Sequence, residues 1–339
     1  MTAPLDAAPA PTDADLIDTL RRWVDPAVQR LAGQAVTTPL IRSDRLDALC
    51  EGSVWIKPEV LQRTGSFKFR GAYNRLAALT TEERRAGVVA FSSGNHAQGV
   101  ALAAKLLGIP AAIVMPSDAP RIKRANTERL GAEVIAYDRA SQSREALAVE
   151  LSATRGAVLV PSYDDPYIIA GQGTCGAEMV DQAHQRGRVP DQALICAGGG
   201  GLTAGCALAL TAAFPKIGVY TVEPEGHDDH ARSFTAGARQ TNPPGGSSLC
   251  DALLAPTPGD LTFAVNRQLC AGGLVVSEAE ICAAMRFAFE ELKLVVEPGG
   301  AVALAAVLAG RLPVAGRTTL VVLSGGNVDP ALFARLLTS

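Results

Sequence analysis

The stretch ALICAGGGGLTAG, residues 193 to 205, runs from a continuous apolar segment straight into four consecutive glycines. A short apolar run closed by a turn signal reads as a buried strand. Four glycines let the backbone turn sharply and aim its amides at one point. A helix opening at about Leu202 adds an amino terminus that favours negative charge. A plain connector needs one or two glycines, so Gly198, Gly199, Gly200 and Gly201 with Leu202 predict an anion cradle suited to a phosphate.

Seven further runs share the strand pattern: VWIK (54–57), VVAF (88–91), AAIVM (111–115), EVIAY (133–137), AVLV (157–160), VYTV (219–222) and TLVVL (319–323). Between them lie segments such as HAQGVALAAKLLG and EAEICAAMRFAFEELK, whose apolar residues recur at helical spacing. The alternation predicts an α/β fold of parallel sheets covered by helices. Three strands lead into glycine-rich loops, SSGNHAQG from 92, GGGGLTAG from 198 and SGGN from 324. Ligands in open α/β sheets sit beyond the carboxyl ends of strands, so these loops are where chemistry is expected.

At 339 residues with 48% hydrophobic content the chain is long enough for about two domains. Its formal net charge is -3, and its 31 basic residues form no stripe or tail of the kind that binds a nucleic-acid backbone. The opening MTAPLDAAPAPTDAD lacks a basic flank leading into an apolar stretch, and no apolar segment reaches membrane-spanning length. The expectation is a soluble, cytoplasmic protein with a frayed tail of about a dozen residues. Seven cysteines without a CxxC pair or repeated spacing indicate neither a disulfide framework nor a zinc site.

SFKFRGA, residues 66 to 72, places Lys68 between Phe67 and Phe69 at the start of a helical pattern. A solvated lysine fits that pattern, and so does a desolvated amine whose lowered pKa makes it a nucleophile toward a carbonyl. The phosphate cradle bears on the choice. Glu223 ends a strand about 20 residues beyond the glycines, where a dinucleotide fold holds its ribose, so a nicotinamide-binding protein is an alternative. Leu202 breaks any GxGxxG register, however, and no GxxxxGK[ST] occurs. A phosphate cradle with an activated lysine points instead to a phosphorylated aldehyde, pyridoxal 5'-phosphate.

SFKFRGA, SSGNHAQGVA, PYIIAGQGT, GGGGL and LSGGNVD, in this order over about residues 35 to 330, resemble the serine/threonine dehydratase and serine racemase family of fold-type II pyridoxal phosphate enzymes. The resemblance implies a role for each matching residue. Lys68 matches the lysine that condenses with the cofactor and takes the substrate's α-proton, and Phe67 packs against the cofactor ring. Asn95 matches the partner of the phenolic oxygen. Ser92 and the amides of Gly94, Asn95 and His96 match the substrate carboxylate site. Ser324 matches the neutral partner of the pyridine nitrogen, which makes the cofactor a weaker electron sink than one facing an Asp. His96 contributes backbone, not a general base.

In VEPEGHDDH, residues 222 to 230, the resemblance makes Glu223 and Asp229 side-chain ligands and His227 a carbonyl ligand of magnesium, or of calcium or manganese. A solvated acidic loop, or a transition-metal site using the imidazoles, are the other readings. Ser93, alanine in many threonine dehydratases, matches a serine facing the substrate opposite the lysine in serine racemases. Cys250, Asp251 and Ala252 stand where the family often has a glycine over the cofactor, and Glu297 lies in EPGGA, where many members read EPTAG or EGAGA. No regulatory extension follows the catalytic region, so isoleucine inhibition is not expected.

The implied architecture is two open, twisted parallel-sheet domains with the cofactor in their cleft. Residues 1–84 and 165–339 form the larger, and 85–164 a smaller one that closes on substrate. A homodimer is implied as well. The expected reaction is β-elimination of a 3-hydroxy amino acid, L-serine or L-threonine by default and threo-3-hydroxyaspartate as a third, to a 2-oxo acid and ammonia. Amino acid racemisation is the alternative activity.

Overall fold

The computed structural model describes residues 13–92, 94–119, 121–138 and 141–338. The tail expected to fray therefore lies outside the described residues, as does Ser93. Nine strands are formed: β1 (Ser53–Pro58), β2 (Val88–Phe91), β3 (Ala111–Pro116), β4 (Glu133–Tyr137), β5 (Val158–Leu159), β6 (Gln192–Cys196), β7 (Gly218–Pro224), β8 (Cys270–Val276) and β9 (Thr318–Leu323). They make a five-stranded sheet ordered β1-β9-β6-β7-β8 and a four-stranded sheet ordered β4-β3-β2-β5. Every ladder in both sheets is parallel.

Helices cover both faces, which is why the strands read as continuous apolar runs. Val54, Ile56, Leu194, Ile195 and Leu320 to Leu323 are fully buried in the core of the larger sheet. All eight apolar runs form strands, although AVLV pairs only at Val158–Leu159. The ninth, β8, escapes the sequence pattern because CAGGLVV carries two glycines, which weaken a strand signal. Gly273 is required by packing, since a Cβ there would lie 2.7 Å from the Cα of Ala231. No helix among the described residues is long and apolar enough to cross a membrane.

The helix Lys68–Ala77 packs across the long helix Pro166–Gln185. Close approach comes from glycines, since a Cβ on Gly171 would lie 2.7 Å from both the Arg70 carbonyl oxygen and the Gly71 Cα. A buried ionic knot fixes this crossing. Arg70 forks onto Glu59 (Nε to Oε2 2.7 Å, Nη2 to Oε1 2.7 Å) and onto Glu178 (Nη1 to Oε1 2.7 Å, Nη2 to Oε2 2.9 Å). Lys57 of β1 donates to Glu178 Oε2, the oxygen that Arg70 Nη2 also reaches, and to the Thr38 carbonyl. Two cations thus meet two carboxylates with nearly all donors satisfied, the condition under which buried charge is tolerable.

Candidate active site

Beyond the carboxyl ends of β2, β6 and β9 lies a cavity of about 880 Å³. It collects Phe67, Lys68, Ser92, Gly94, Asn95, His96, Gly198 to Leu202 and Ser324 from loops far apart in the chain. Lys68 is the first residue of its helix, and its Nζ donates to the Ser162 carbonyl at 2.8 Å while lying 5.2 Å from the Phe67 ring centroid. Burial pulls its pKa from 10.5 to about 8, against the opposing pull of Cys196 and the Glu297 carboxylate. About a tenth of the amine is therefore neutral at pH 7, against well under a thousandth for a free lysine, and the neutral form is what a nucleophile toward an aldehyde requires.

The glycine cradle joins β6 to the helix Gly201–Ala213, and Gly200 adopts the left-handed conformation at φ 91° that a side chain would resist. The Tyr163 ring lies against Gly199, leaving no room there for a Cβ. Ser324 follows directly on β9, where its carbonyl accepts from the Phe67 amide at 3.1 Å and its hydroxyl faces the Cys196 thiol.

At the second loop, the Ser92 hydroxyl accepts from the Gly94 amide at 3.1 Å, and Asn95 opens the helix Asn95–Leu107. The Asn95 amide nitrogen donates to Glu297 Oε1 at 2.6 Å, and its oxygen accepts from Asn327 at 2.7 Å. His96 Nε2 pairs with the Val160 carbonyl at 3.0 Å, and burial together with the Lys68 charge pulls its pKa down to about 3. It stays neutral and bonded to backbone.

Glu223, His227 and Asp229 do not line the cavity; they lie behind the glycine loop. The Glu223 carboxylate accepts from the amides of His230 (2.8 Å) and Ala231 (2.9 Å), and Asp229 Oδ1 accepts from Asn242 at 2.7 Å. Asp229 Oδ2 is buried without a hydrogen-bond partner. Burial and the Asp229 charge push Glu223 well above the usual carboxylate range, and burial raises Asp229 to about 6. Among the described residues no three His, Cys, Asp or Glu side chains converge as a metal site, so the set with imidazole ligands is not assembled. The two crowded carboxylates with one orphaned oxygen do fit a cation that takes backbone carbonyl as its other donor.

Residues 32–325 match the family model of the pyridoxal-phosphate dependent enzymes. The chain belongs to this family. Among pyridoxal-phosphate dependent relatives it is 44% identical to L-threo-3-hydroxyaspartate ammonia-lyase of Pseudomonas sp over 92% of this chain and 96% of the relative. It is 41% identical to the catabolic L-threonine dehydratase of Escherichia coli over 89% and 91%. The solved structure of maize serine racemase superposes with a TM-score of 0.87 at 38% identity, covering 94% of this chain and 96% of that one. The fold and the reaction class follow: this is a fold-type II enzyme of pyridoxal-phosphate-dependent β-elimination.

Several cavity residues gave no sequence signal of their role. Tyr163, Asp164 and Ser162 sit on the connection after β5, Asn327 lies past SGG, and Arg144 opens the helix Arg144–Arg155. Glu297 stood out only as a variant motif, yet it is buried against Asn95.

Proposed function

We propose that this chain is an ammonia-lyase in which Lys68 anchors the cofactor and then takes the α-proton of a 3-hydroxy amino acid. The observation carrying this reading is a desolvated amine facing a cavity between a glycine cradle and the amides of residues 94–96. Pyridoxal phosphate, when bound, supplies the electron withdrawal that makes the α-proton removable. The amides of Gly199 to Gly201 hold its phosphate, Asn95 its phenolic oxygen, Phe67 its ring, and Ser324 its nitrogen through a neutral hydroxyl. Ser92 and the amides of Gly94, Asn95 and His96 bind the substrate carboxylate, at a helix start that favours an anion.

For the substrate, a dicarboxylic hydroxy amino acid has specific support. Arg144 lines the cavity, its guanidinium lies 5.7 Å from the Phe91 ring centroid, and among the described residues its ion-pair partner is the half-exposed Glu145 (2.7 Å). Arginine offers a planar fork suited to a second carboxylate. The substrate proposed is L-threo-3-hydroxyaspartate, the compound in the name of the Pseudomonas relative. Assayed for 2-oxo acid release, it is expected to give a higher kcat/KM than L-serine or L-threonine. No 2-oxo acid from any of the three would refute the lyase reading.

Glu223, Asp229 and the His227 carbonyl are proposed to hold magnesium, which would neutralise the crowded carboxylates. Ser93 is proposed to face the opposite side of Cα and to give a minor racemase activity, since racemisation needs a proton carrier on each face. Residues 85–164 are proposed as the smaller domain that closes on residues 1–84 and 165–339, excluding water. A cytoplasmic homodimer completes the reading.

A further inference from the structure

Three successive carbonyls of the glycine loop are each held by a buried side-chain donor from outside the loop. His230 Nε2 pairs with the Gly198 oxygen at 3.0 Å, Thr262 Oγ1 donates to the Gly199 oxygen at 2.6 Å, and Asn266 Nδ2 donates to the Gly200 oxygen at 3.2 Å. All three side chains are fully buried. The described chain contains no cis peptide. In a trans peptide the carbonyl of one residue points opposite to the N–H of the next, so fixing three oxygens also fixes the directions of the Gly199, Gly200 and Gly201 N–H groups. No acceptor among the described residues takes those three N–H groups.

The donors are themselves braced. Thr262 and Asn266 lie one turn apart on the helix Asp260–Leu269, whose first three amides donate to the Asp164 carboxylate at 3.0, 2.9 and 3.1 Å. His230 is pinned through its own amide to Glu223. The fit around the loop is tight: a Cβ on Gly200 would lie 2.6 Å from His230 Cε1 and 2.8 Å from Asn266 Nδ2. That glycine is therefore demanded by the side chains behind the loop as much as by any ligand before it.

We propose that His230, Thr262 and Asn266 are positioning residues for the cofactor phosphate, a clamp on three carbonyls that aims three amides at one anion. The proposal rests on the cofactor reading above, and the test separates the two. Cofactor-free protein is titrated with pyridoxal 5'-phosphate and, separately, with pyridoxal, which lacks the phosphate, following the visible absorbance of the lysine-bound form. Thr262→Val keeps the side-chain shape and removes the donor. It is expected to weaken pyridoxal phosphate about tenfold, the worth of one aimed hydrogen bond to a charged group, while pyridoxal stays within about twofold.

Thr262→Ser retains the hydroxyl and is expected to bind both within about threefold of wild type. Asn266→Leu keeps roughly the side-chain size, removes the donor to the next carbonyl and carries the same expectation as Thr262→Val, and it covers failure of the valine variant to fold. Equal weakening of both ligands in the donor-deleted variants, or no weakening of either, would overturn the clamp. A wild-type protein that develops no visible band with either ligand would overturn the cofactor reading, and the clamp with it.

Discussion

Replacing Lys68 with methionine should make the cofactor-free protein more stable at neutral pH, and the gain should fade as the solution becomes alkaline. The folded protein holds the Lys68 amine at a pKa of about 8 against 10.5 for a free lysine, chiefly through burial. The unfolded chain therefore binds the proton more tightly. For an amine whose folded pKa is depressed, stability is unaffected above the unfolded value, falls as the pH drops toward the folded value, and is fully reduced below it. For a fully desolvated amine the cost to wild type is about 3 kcal/mol near pH 7 and about 1.4 kcal/mol near pH 9.5. Lys68 is half-buried at the wall of the cavity, so roughly half of this is expected to be realised. Loss of the bond to the Ser162 carbonyl offsets part of the gain, but equally at each pH. The difference between the two pH values therefore isolates the ionisation. Urea unfolding of both cofactor-free proteins should show the methionine variant's advantage shrinking by about 1 kcal/mol between those conditions. An advantage that is constant, or that grows with pH, would refute a desolvated amine. The same variant should lose the visible absorbance of bound cofactor and several orders of magnitude in turnover.

Arg144→Leu should raise KM for L-threo-3-hydroxyaspartate roughly 10- to 100-fold and leave L-serine within about threefold, and steady-state kinetics on both would expose a merely structural arginine. Chelation should lower the melting temperature, with saturating magnesium restoring about 2 to 3 kcal/mol; chelator-insensitive protein without metal by elemental analysis would contradict a cation between Glu223 and Asp229. Ser93→Ala should retain 2-oxo acid production from the L-isomer while abolishing D-isomer formation, and chiral chromatography that still finds D-serine would place the second proton carrier elsewhere.

Most of the fold was legible because parallel strands buried on both faces must be apolar throughout, and the runs ending at Phe91, Cys196 and Leu323 are. The glycine loop and Lys68 were legible because their chemistry is local: consecutive glycines, or one cation between aromatics. What stayed hidden is tertiary. Thr262 and Asn266 are ordinary residues on an amphipathic helix until that helix is laid behind residues 198–200. Glu297 acquires meaning only through Asn95, 202 positions away. Arg70 stood in plain view in SFKFRGA, yet nothing nearby in sequence foretold that its partners would be Glu59 and Glu178.

That ionic knot also sorts the site into two inheritances. Through Arg70 and Lys57 the helix bearing Lys68 is bolted to β1, in the same sheet that carries the glycine cradle on β6 and Ser324 on β9. The residues that would meet the substrate's own carboxylates, Ser92, Gly94 to His96 and Arg144, hang from the other sheet. The residues proposed to choose the substrate thus sit on one scaffold and most of those proposed to hold the cofactor on the other, with Asn95 as the exception that ties them together. A protein engineer who grafted the four-stranded sheet of a relative with different taste onto this chassis would have to retain Asn95 and the apolar face that receives Phe69, Ala72 and Leu76 of the Lys68 helix to keep the chemistry.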